Sequence, residues 1–376
     1  MNIISLLAGA APVARFQRLC GVKWLKPDIN NPIYPHEQPS TSSQETKQPS
    51  HVITNPTLLQ LALGGSELAG EPFYYVFFPA CAWLFEIRVA RRTLLMLASV
   101  MYVGQSLKDI LKWPRPSSPP VIRLDEAYET EYGMPSTHTM CAVTVPFTLL
   151  LFMSDLYEIS IYKGILLSIA WSSFVMLSRI YLGMHSILDI AAGTILSGAL
   201  IKLFYPVVTW IEDIQYFNFS PWSGILGITS FFLSWTVFQL DSGTNPRTGK
   251  TNWNTARGDT AEILGWCAGF ITGSCQMLQP TTSVHDLHHL LPVALENPFL
   301  RCLVRFSAGA IILGPTTLIL RKVLLHVFAS FSKSSSIAEA KKECYVELPY
   351  KFFTTFVSSF MSTAIIPSLL QNFYLW

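Results

Sequence analysis

Charged side chains are scarce in this sequence. They make up 13% of its 376 residues, whereas hydrophobic residues make up 50%. The 26 Lys and Arg nearly balance the 24 Asp and Glu, so the formal net charge is only +2. No basic excess of the kind that marks a nucleic-acid-binding domain is present, and we expect no nucleic-acid partner. This composition, with its positive mean hydropathy, argues against a soluble domain and favours a protein that crosses a membrane several times.

The sequence also lacks the residue patterns of disulfide scaffolds and metal centres. Its seven cysteines show no framework spacing, and most lie in or beside apolar runs, so we interpret them as buried free thiols. The histidines of HDLHH, residues 285–289, have no carboxylate or cysteine partners at a suitable spacing. We therefore expect a loop without a metal ion there.

Apolar runs recur from residue 72 onwards, separated by short polar breaks. Several are close to the roughly 20 residues that a helix needs to cross a hydrocarbon core. We predict an all-α fold, a polytopic membrane helical bundle with about nine transmembrane helices, in a range of about eight to ten. The predicted spans lie near residues 72–86, 92–108, 140–156, 161–178, 187–206, 222–240, 261–279, 302–322 and 351–372.

The chain divides into three predicted regions. Residues 1–56 are rich in Pro, Ser, Gln, Thr and Asn, which predicts a disordered polar tail. Residues 57–210 form a core that carries the three polar motifs described next, and its first part, 57–69, predicts an interfacial helix or a half-span. Residues 211–376 predict additional C-terminal transmembrane helices.

The first motif, KDILKWPRP, places basic residues at the end of an apolar run. Lys108 and Arg115 are seven residues apart, about two helical turns. Pro114 and Pro116 should end the helix and leave Arg115 in a loop. By itself, this group is typical of a basic cluster that reaches towards lipid headgroups.

The second motif, MPSTHTM, directly precedes an apolar run. Ser136 is placed to cap the N-terminus of the following helix. The free N–H groups of a helix N-terminus bind anions readily. By itself, the motif is typical of a capped helix with an incidental histidine, His138.

The third motif, SRIYLGMHSILDI, places ionisable residues between two apolar runs. His185 and Asp189 are four residues apart, so on a helix they would share a face and form a hydrogen bond. A carboxylate on one imidazole nitrogen fixes the tautomer and leaves the other nitrogen free as a nucleophile or base. The alternative is a satisfied polar trio, with Arg179, at the membrane boundary, although ionisable groups at such depth favour a functional interpretation.

The three motifs together suit a phosphate group. If the predicted spans alternate in direction, residues 109–139 and 179–187 fall on the same face of the membrane. Cations and N–H groups would hold the phosphate oxygens, one histidine would attack phosphorus and the other would protonate the leaving oxygen. No Asp/Glu cluster of the kind that holds Mg²⁺ accompanies the motifs, so this chemistry requires no metal and no cofactor.

In their order and spacing, the three motifs resemble the signature of the type 2 phosphatidic acid phosphatase superfamily. The chain is most similar to the sphingosine-1-phosphate phosphatase family, because all three motifs and VARFQRLCGV at 13–22 resemble that family's versions. Thr137 stands where much of the superfamily has glycine, and the sphingoid-phosphate branch shares this threonine.

The resemblance implies a role for each motif residue. His185 would be the nucleophile that forms a phosphohistidine, Asp189 would orient it, and His138 would be the general acid. The phosphate-binding residues would be Lys108, Arg115, Ser136, Thr137 and Arg179. The substrates would be the lipids sphingosine 1-phosphate and dihydrosphingosine 1-phosphate. The protein would lie among the lipids of the endoplasmic reticulum membrane with a lumenal active site.

Other interpretations stay open at this stage. The same chemistry serves a polyisoprenoid diphosphate, phosphatidic acid or a sugar phosphate, and an inactive membrane scaffold or a transporter is a further alternative. The acidic run DEAYETE, residues 125–131, is typical of a solvated face, and the alternative is a loop that shapes access to the phosphate site. Its carboxylates are candidates for a weak attraction to a lipid ammonium group.

Overall fold

The computed structural model describes residues 6–25, 51–125, 131–217, 225, 228–234, 236, 256–277 and 297–372. Two short strands, β1 (Val22–Trp24) and β2 (His51–Ile53), pair antiparallel. The helices are α1 (Ala10–Leu19), α2 (Pro56–Glu67), α3 (Glu71–Leu84), α4 (Ile87–Leu111), α5 (Thr137–Ser154), α6 (Ile161–Tyr181), α7 (Ile187–Phe217), α8 (Ala256–Met277), α9 (Pro298–Ala329), α10 (Ile337–Ala340), α11 (Cys344–Phe360), a π-helical turn (Met361–Ile365) and α12 (Ile366–Asn372).

The N-terminal region is ordered in places where its composition predicts a disordered tail. Gln17 of α1 is buried, and its Nε2 donates to the carbonyl oxygens of Ile122 (2.6 Å) and Tyr181 (2.9 Å). Its Oε1 accepts from the backbone N–H of Ile122 at 2.9 Å. The prediction for 1–56 is therefore wrong for α1, β1 and β2, because one buried amide that satisfies three backbone groups anchors a largely polar segment. Residues 26–50 lie outside the described part of the chain.

The described residues contain six helical segments that are long and apolar enough to cross a membrane: α4, α5, α6, α7, α9 and the run from Cys344 to Gln371. They match six of the predicted spans, which confirms a multi-pass, all-α membrane protein. Two further predicted spans correspond to α3, which has only 14 residues, and α8, which has Asp259 and Glu262 in its first turns. The predicted span 222–240 lies largely outside the described residues, so the count of nine stays a prediction.

Each end of the bundle has its own polar cluster. At one end, Arg91 of α4 forms a buried ion pair with Glu212 of α7 and donates to Ser274 Oγ of α8 at 2.9 Å. At the other end, the last turn of α4 meets the first turns of α5 and α7 and the end of α6. The helices α4, α5, α6 and α7, which follow one another along the chain, therefore run in alternating directions. The three motifs meet at one end of the bundle, as the alternation of spans predicts.

Glycines spaced four residues apart bring α8 close to α11. Gly265, Gly269 and Gly273 lie against the backbone of α11 and the π-helical turn, and a Cβ at Gly269 would collide with the carbonyl oxygen of Phe356. Small residues allow such close approach, which is a main source of helix association in lipid. This packing holds the charged first turns of α8 in a defined position.

Candidate active site

Lys108 lies in the last turn of α4, and the helix stops shortly after it. Lys112 adopts a left-handed conformation with φ 50°, which ends α4 and places Arg115 in the following loop, as predicted. Lys108 is only 1% exposed. Its Nζ donates to Glu131 Oε2 at 2.6 Å and to Thr137 Oγ1 at 3.1 Å.

Arg115 is a buried cation held by backbone carbonyl groups. Its Nε donates to the backbone carbonyl oxygen of Glu131 at 2.9 Å, and its Nη1 donates to the backbone carbonyl oxygen of Met184 at 2.8 Å. The same Nη1 lies 3.2 Å from His185 Nε2. Burial lowers the Arg115 pKa to about 10, and the Glu131 carboxylate opposes that shift. The guanidinium therefore stays protonated at neutral pH and is a fixed positive charge.

Ser136 is the N-cap of α5, as the sequence predicts. Its Oγ accepts hydrogen bonds from the backbone N–H of Thr139 at 3.4 Å and from Thr139 Oγ1 at 3.0 Å. Its own backbone N–H donates to the carbonyl oxygen of Asp189 at 3.2 Å. Ser136 therefore closes the N-terminus of α5 and joins it to the first turn of α7.

Arg179 and His185 are brought to one place by the turn that ends α6. Gly183 takes φ +71°, its N–H bonds to the Ile180 carbonyl, and the Met184 N–H bonds to the Arg179 carbonyl. This pair of bonds is a Schellman motif, and its left-handed residue favours glycine. A Cβ there would also collide with the Ile122 carbonyl oxygen. The turn reverses the chain.

His185 and Asp189 face each other, as predicted, but the prediction that they do so from one helix is wrong. α7 begins at Ile187, so His185 precedes the helix, and its Nδ1 lies 3.8 Å from Asp189 Oδ2, beyond hydrogen-bond distance. Asp189 Oδ2 instead accepts from the Ser186 N–H at 2.7 Å, and the Asp189 N–H donates to Ser186 Oγ at 3.2 Å. These reciprocal bonds form a capping box, which fixes both ends of the short link between the histidine and the carboxylate.

The contacts of His185 assign its tautomer. A guanidinium can only donate, so Nε2 beside Arg115 accepts, and the ring proton resides on Nδ1, which faces Asp189. Burial, followed by the charges of Arg115, Arg179 and Lys108, holds the His185 pKa well below its usual value. The imidazole is therefore neutral near pH 7, and its Nε2 lone pair faces Arg115. We name Lys108, Arg115 and Arg179 the cation cluster.

His138 is the second residue of α5 and lines a cavity between the helices. The cavity encloses about 730 Å³ of empty space, including its open mouth, and Thr137 and Glu131 form the same wall. His138 is 8% exposed and lies within electrostatic range of His185. The walls further from the motifs are mostly apolar and include Phe78, Leu94, Leu97, Met101, Ile263 and Trp266.

Two carboxylates of the acidic run, residues 125–131, form ion pairs with cations of the site. Glu131 is 6% exposed and pairs with Lys108, with a longer approach of 3.8 Å to Arg115. Asp125 Oδ2 lies 2.9 Å from Nη1 of fully buried Arg179. The interpretation of the run as a solvated face is therefore wrong at these two positions. Residues 126–130 lie outside the described part, as do the histidines of HDLHH.

All eight motif residues selected from the sequence lie at this end of the bundle, whereas three of their supports were missed. Ser66 of α2 accepts from Arg179 Nη1 at 2.5 Å, and Gln17 holds the end of α6. Glu131 was not expected to be buried. A lone serine gives no sequence signal, whereas Gln17 lies in VARFQRLCGV, which the family resemblance had already singled out. Within the described residues, no group of His, Cys, Asp or Glu is arranged to hold a metal ion.

Residues 90–213 match the sequence profile of the PAP2 superfamily. The chain is 36% identical to sphingosine-1-phosphate phosphatase 1 of Mus musculus over 322 residues, which cover 84% of this chain and 72% of that protein. It is 32% identical to sphingosine-1-phosphate phosphatase 2 of Mus musculus over 98% of each chain. A dihydrosphingosine 1-phosphate phosphatase of Schizosaccharomyces pombe is 35% identical over 40% of this chain and 38% of its own. No solved structure matches the chain.

Proposed function

The chain belongs to the sphingosine-1-phosphate phosphatase family of the PAP2 superfamily, and from this premise we propose that it hydrolyses sphingosine 1-phosphate and dihydrosphingosine 1-phosphate through a phosphohistidine. One observation carries the mechanism. A neutral, buried imidazole presents Nε2 to a cluster of three buried cations, and its Nδ1 faces a carboxylate. The cluster supplies the positive charge on which a phosphate dianion depends.

Lys108, Arg115 and Arg179 bind the phosphate oxygens of the substrate. Thr137 Oγ1 already contacts Lys108, and Ser136 holds the N-terminus of α5 beside them, so N–H groups add to the charge of the side chains. In the absence of substrate, Glu131 pairs with Lys108 and Asp125 pairs with Arg179. Substrate phosphate takes their place, because a dianion interacts more strongly with the cluster than a carboxylate does.

His185 Nε2 attacks phosphorus, and the bond from phosphorus to the ester oxygen breaks. The positive charge on the imidazole is stabilised by Asp189 at Nδ1, where the 3.8 Å separation shortens as charge develops. His138 is the general acid and donates a proton to the departing alkoxide. The free lipid alcohol leaves at this point. His138 then takes a proton from a water molecule, which attacks the phosphohistidine, breaks the bond from phosphorus to Nε2 and releases inorganic phosphate.

The protein resides in the endoplasmic reticulum membrane, with the cation cluster on the lumenal side. The six apolar helices support membrane residence. Arg88, Arg91 and Arg92 lie at the start of α4, at the opposite end from the cluster, and support a cytosolic position for that end.

Phosphate release by the purified protein tests this function. We expect turnover of sphingosine 1-phosphate and dihydrosphingosine 1-phosphate in EDTA, with much lower rates for phosphatidic acid, a polyisoprenoid diphosphate and glucose 6-phosphate. His185→Ala should abolish turnover and the trapping of ³²P on the protein. His326→Ala, at an exposed histidine of α9, is the matched control. Labelled phosphate retained on the His185→Ala protein would place the nucleophile elsewhere, and preferred turnover of another substrate would change the substrate class.

A further inference from the structure

The cavity beside the cation cluster has a second polar wall. Glu71, the first residue of α3, and Asp259 and Glu262, in the first turns of α8, line the cavity that also contains Thr137 and His138. We name Glu71, Asp259 and Glu262 the acidic wall. None of them belongs to the three motifs, and none contributes to the phosphoryl-transfer steps above.

The acidic wall is part of an ion-pair network in which carboxyl groups outnumber cations. Lys351 of α11 lies 3.5 Å from Asp259 and 3.3 Å from Glu262, and Arg321 lies 3.5 Å from Glu262. Behind this layer, Glu347 pairs with Lys351 and Arg257. Three cations therefore serve four carboxyl groups when Glu71 is included, and no ion pair joins Glu71 to a cation among the described residues. Buried charge is normally paired, so the wall has capacity for one more positive group.

Two buried polar atoms in the same cavity support a ligand there. Gln105 of α4 is 3% exposed and lies three residues, about one turn, before Lys108, yet its Oε1 accepts no hydrogen bond from the described residues. Trp266 of α8 is 6% exposed, and its Nε1 has no hydrogen-bond acceptor among the residues that the structure describes. Buried polar atoms are rarely left unpaired in a protein that has its ligand bound.

We propose that the acidic wall binds the ammonium group of the substrate and that Gln105 Oε1 accepts a hydrogen bond from its neighbouring hydroxyl group. This inference rests on the proposed function, because it assigns the head of an amino-alcohol phosphate to a subsite beside the cation cluster. The wall makes the enzyme selective for lipids with a free amine.

The chemistry of a sphingoid phosphate fits this arrangement. The carbon that carries the amine is bonded to the carbon that carries the phosphate ester, and the next carbon carries the hydroxyl group. The ammonium must therefore lie close to the bound phosphate. The cavity that the acidic wall lines is also lined by Glu131 and Thr137, and both of these residues contact Lys108. The apolar lining beyond them suits an alkyl chain. Phosphatidic acid and simple alkyl phosphates have no group for the acidic wall.

A pair of substrates that differ in the head group tests the proposal. Dihydrosphingosine 1-phosphate and octadecyl phosphate have the same chain length, but the second lacks the amine and the hydroxyl. We measure kcat/KM for both, and their ratio, with wild-type protein, Glu71→Gln and Asp259→Asn. Glu347→Gln removes a carboxylate from the same network but not from the cavity, so it is the matched control. Activity on octadecyl phosphate also reports the folded fraction of each preparation.

We expect wild type to prefer the amine-bearing lipid, and each wall variant to reduce that preference by about tenfold, the scale of a partly buried charge pair. Activity on octadecyl phosphate should stay within about twofold in both variants. Gln105→Leu should lower the preference for dihydrosphingosine 1-phosphate over its 3-deoxy analogue. Equal losses on both lipids, or the same change in Glu347→Gln, would overturn the subsite. A wild-type protein that hydrolyses neither lipid would instead contradict the proposed function.

Discussion

His185 is a buried histidine whose two ring nitrogens face opposite charges. Nε2 lies at a guanidinium and Nδ1 at a carboxylate, so the ring is oriented and its tautomer is set before substrate arrives. The three surrounding cations disfavour a fourth positive charge on the ring. The orientation, tautomer and protonation state of His185 are therefore set by side chains, several of which come from distant parts of the sequence.

The pH dependence of the enzyme should report these neighbours. Because the His185 pKa is held below its usual value, the imidazole that we propose as the nucleophile stays neutral as the pH falls through about 6.5. The value of kcat/KM should therefore decline only in more acidic solution. Arg115→Gln removes a cation, so the His185 pKa should rise and the acid limb should move to higher pH. The maximal kcat/KM also falls in this variant, but the pH at which kcat/KM drops to half of its maximum does not depend on that maximum. Lys112→Gln, at an exposed position, should leave the limb in place, and an unmoved limb in Arg115→Gln would contradict the assignment.

Glu131 pairs with Lys108, which we propose as a phosphate ligand. Its Oε2 lies 2.6 Å from Nζ in the buried site, so a bound phosphate must displace it or share the cation. Glu131→Gln removes the competing charge, and we expect inorganic phosphate or vanadate to inhibit about fivefold to tenfold more tightly, as for one charge interaction in a desolvated site. Inhibition constants measured in parallel for Glu339→Gln, on an exposed part of the chain, provide the control. Weaker inhibition of Glu131→Gln would show that Glu131 positions Lys108 rather than opposing the anion.

At the scale of elements, the ends of helices position the site. α4 ends at a left-handed lysine, α5 begins at a serine cap, α6 ends in a Schellman turn and α7 begins at a capping box. Each end satisfies backbone groups that would otherwise be unpaired near the hydrocarbon core, where such groups are costly. The same devices therefore stabilise the bundle and place the polar side chains.

The α8–α11 contact gives a test at the same scale, because two glycines of similar helices differ in their surroundings. A methyl group at Gly269 would collide with the Phe356 carbonyl, whereas nothing lies within 4 Å of the corresponding position at Gly198 of α7. Gly269→Ala should destabilise the protein by about 1–3 kcal/mol. Gly198→Ala should leave stability unchanged or raise it by up to about 1 kcal/mol, since alanine favours helix. Thermal unfolding in detergent measures both, and equal shifts would show that α8 and α11 do not pack at this distance.

At the scale of the whole molecule, the bundle has one polar end that carries the cation cluster and another that carries the Arg91–Glu212 pair. The helices α4, α5, α6 and α7 alternate between these ends, so the side of the membrane assigned to one of their loops determines the side of the others. The position of the active site is therefore a property of the entire topology.

Labelling of single introduced cysteines tests that topology. Ser117 is exposed near the cation cluster, and Glu158 is exposed between α5 and α6 at the opposite end. In sealed microsomes, an impermeant maleimide should label Glu158→Cys directly and Ser117→Cys only after permeabilisation. The unsubstituted chain measures the background from its seven free cysteines. Labelling in the reverse order would place the active site on the cytosolic side.

Residue patterns alone predict the membrane class, six of the helices and the eight motif residues that lie together at one end of the bundle. Apolar runs are long enough to identify spans one at a time, and alternation of their direction then puts distant motifs on one side. Even the Ser136 cap and the loop position of Arg115 follow from local chemistry, because serine caps and proline breaks depend on adjacent residues only.

Tertiary structure alone decided which groups meet at the site. Gln17 reaches Ile122 and Tyr181 across more than a hundred residues of sequence, and Glu131 and Asp125 fold onto the cations instead of facing water. The start of α7 after His185 also depended on the capping box, which a four-residue spacing does not reveal. The acidic wall combines α3 with α8, although no motif joins them. Such contacts arise from packing between helices that are remote in sequence, and residue patterns within one helix carry no information about the partner it will meet.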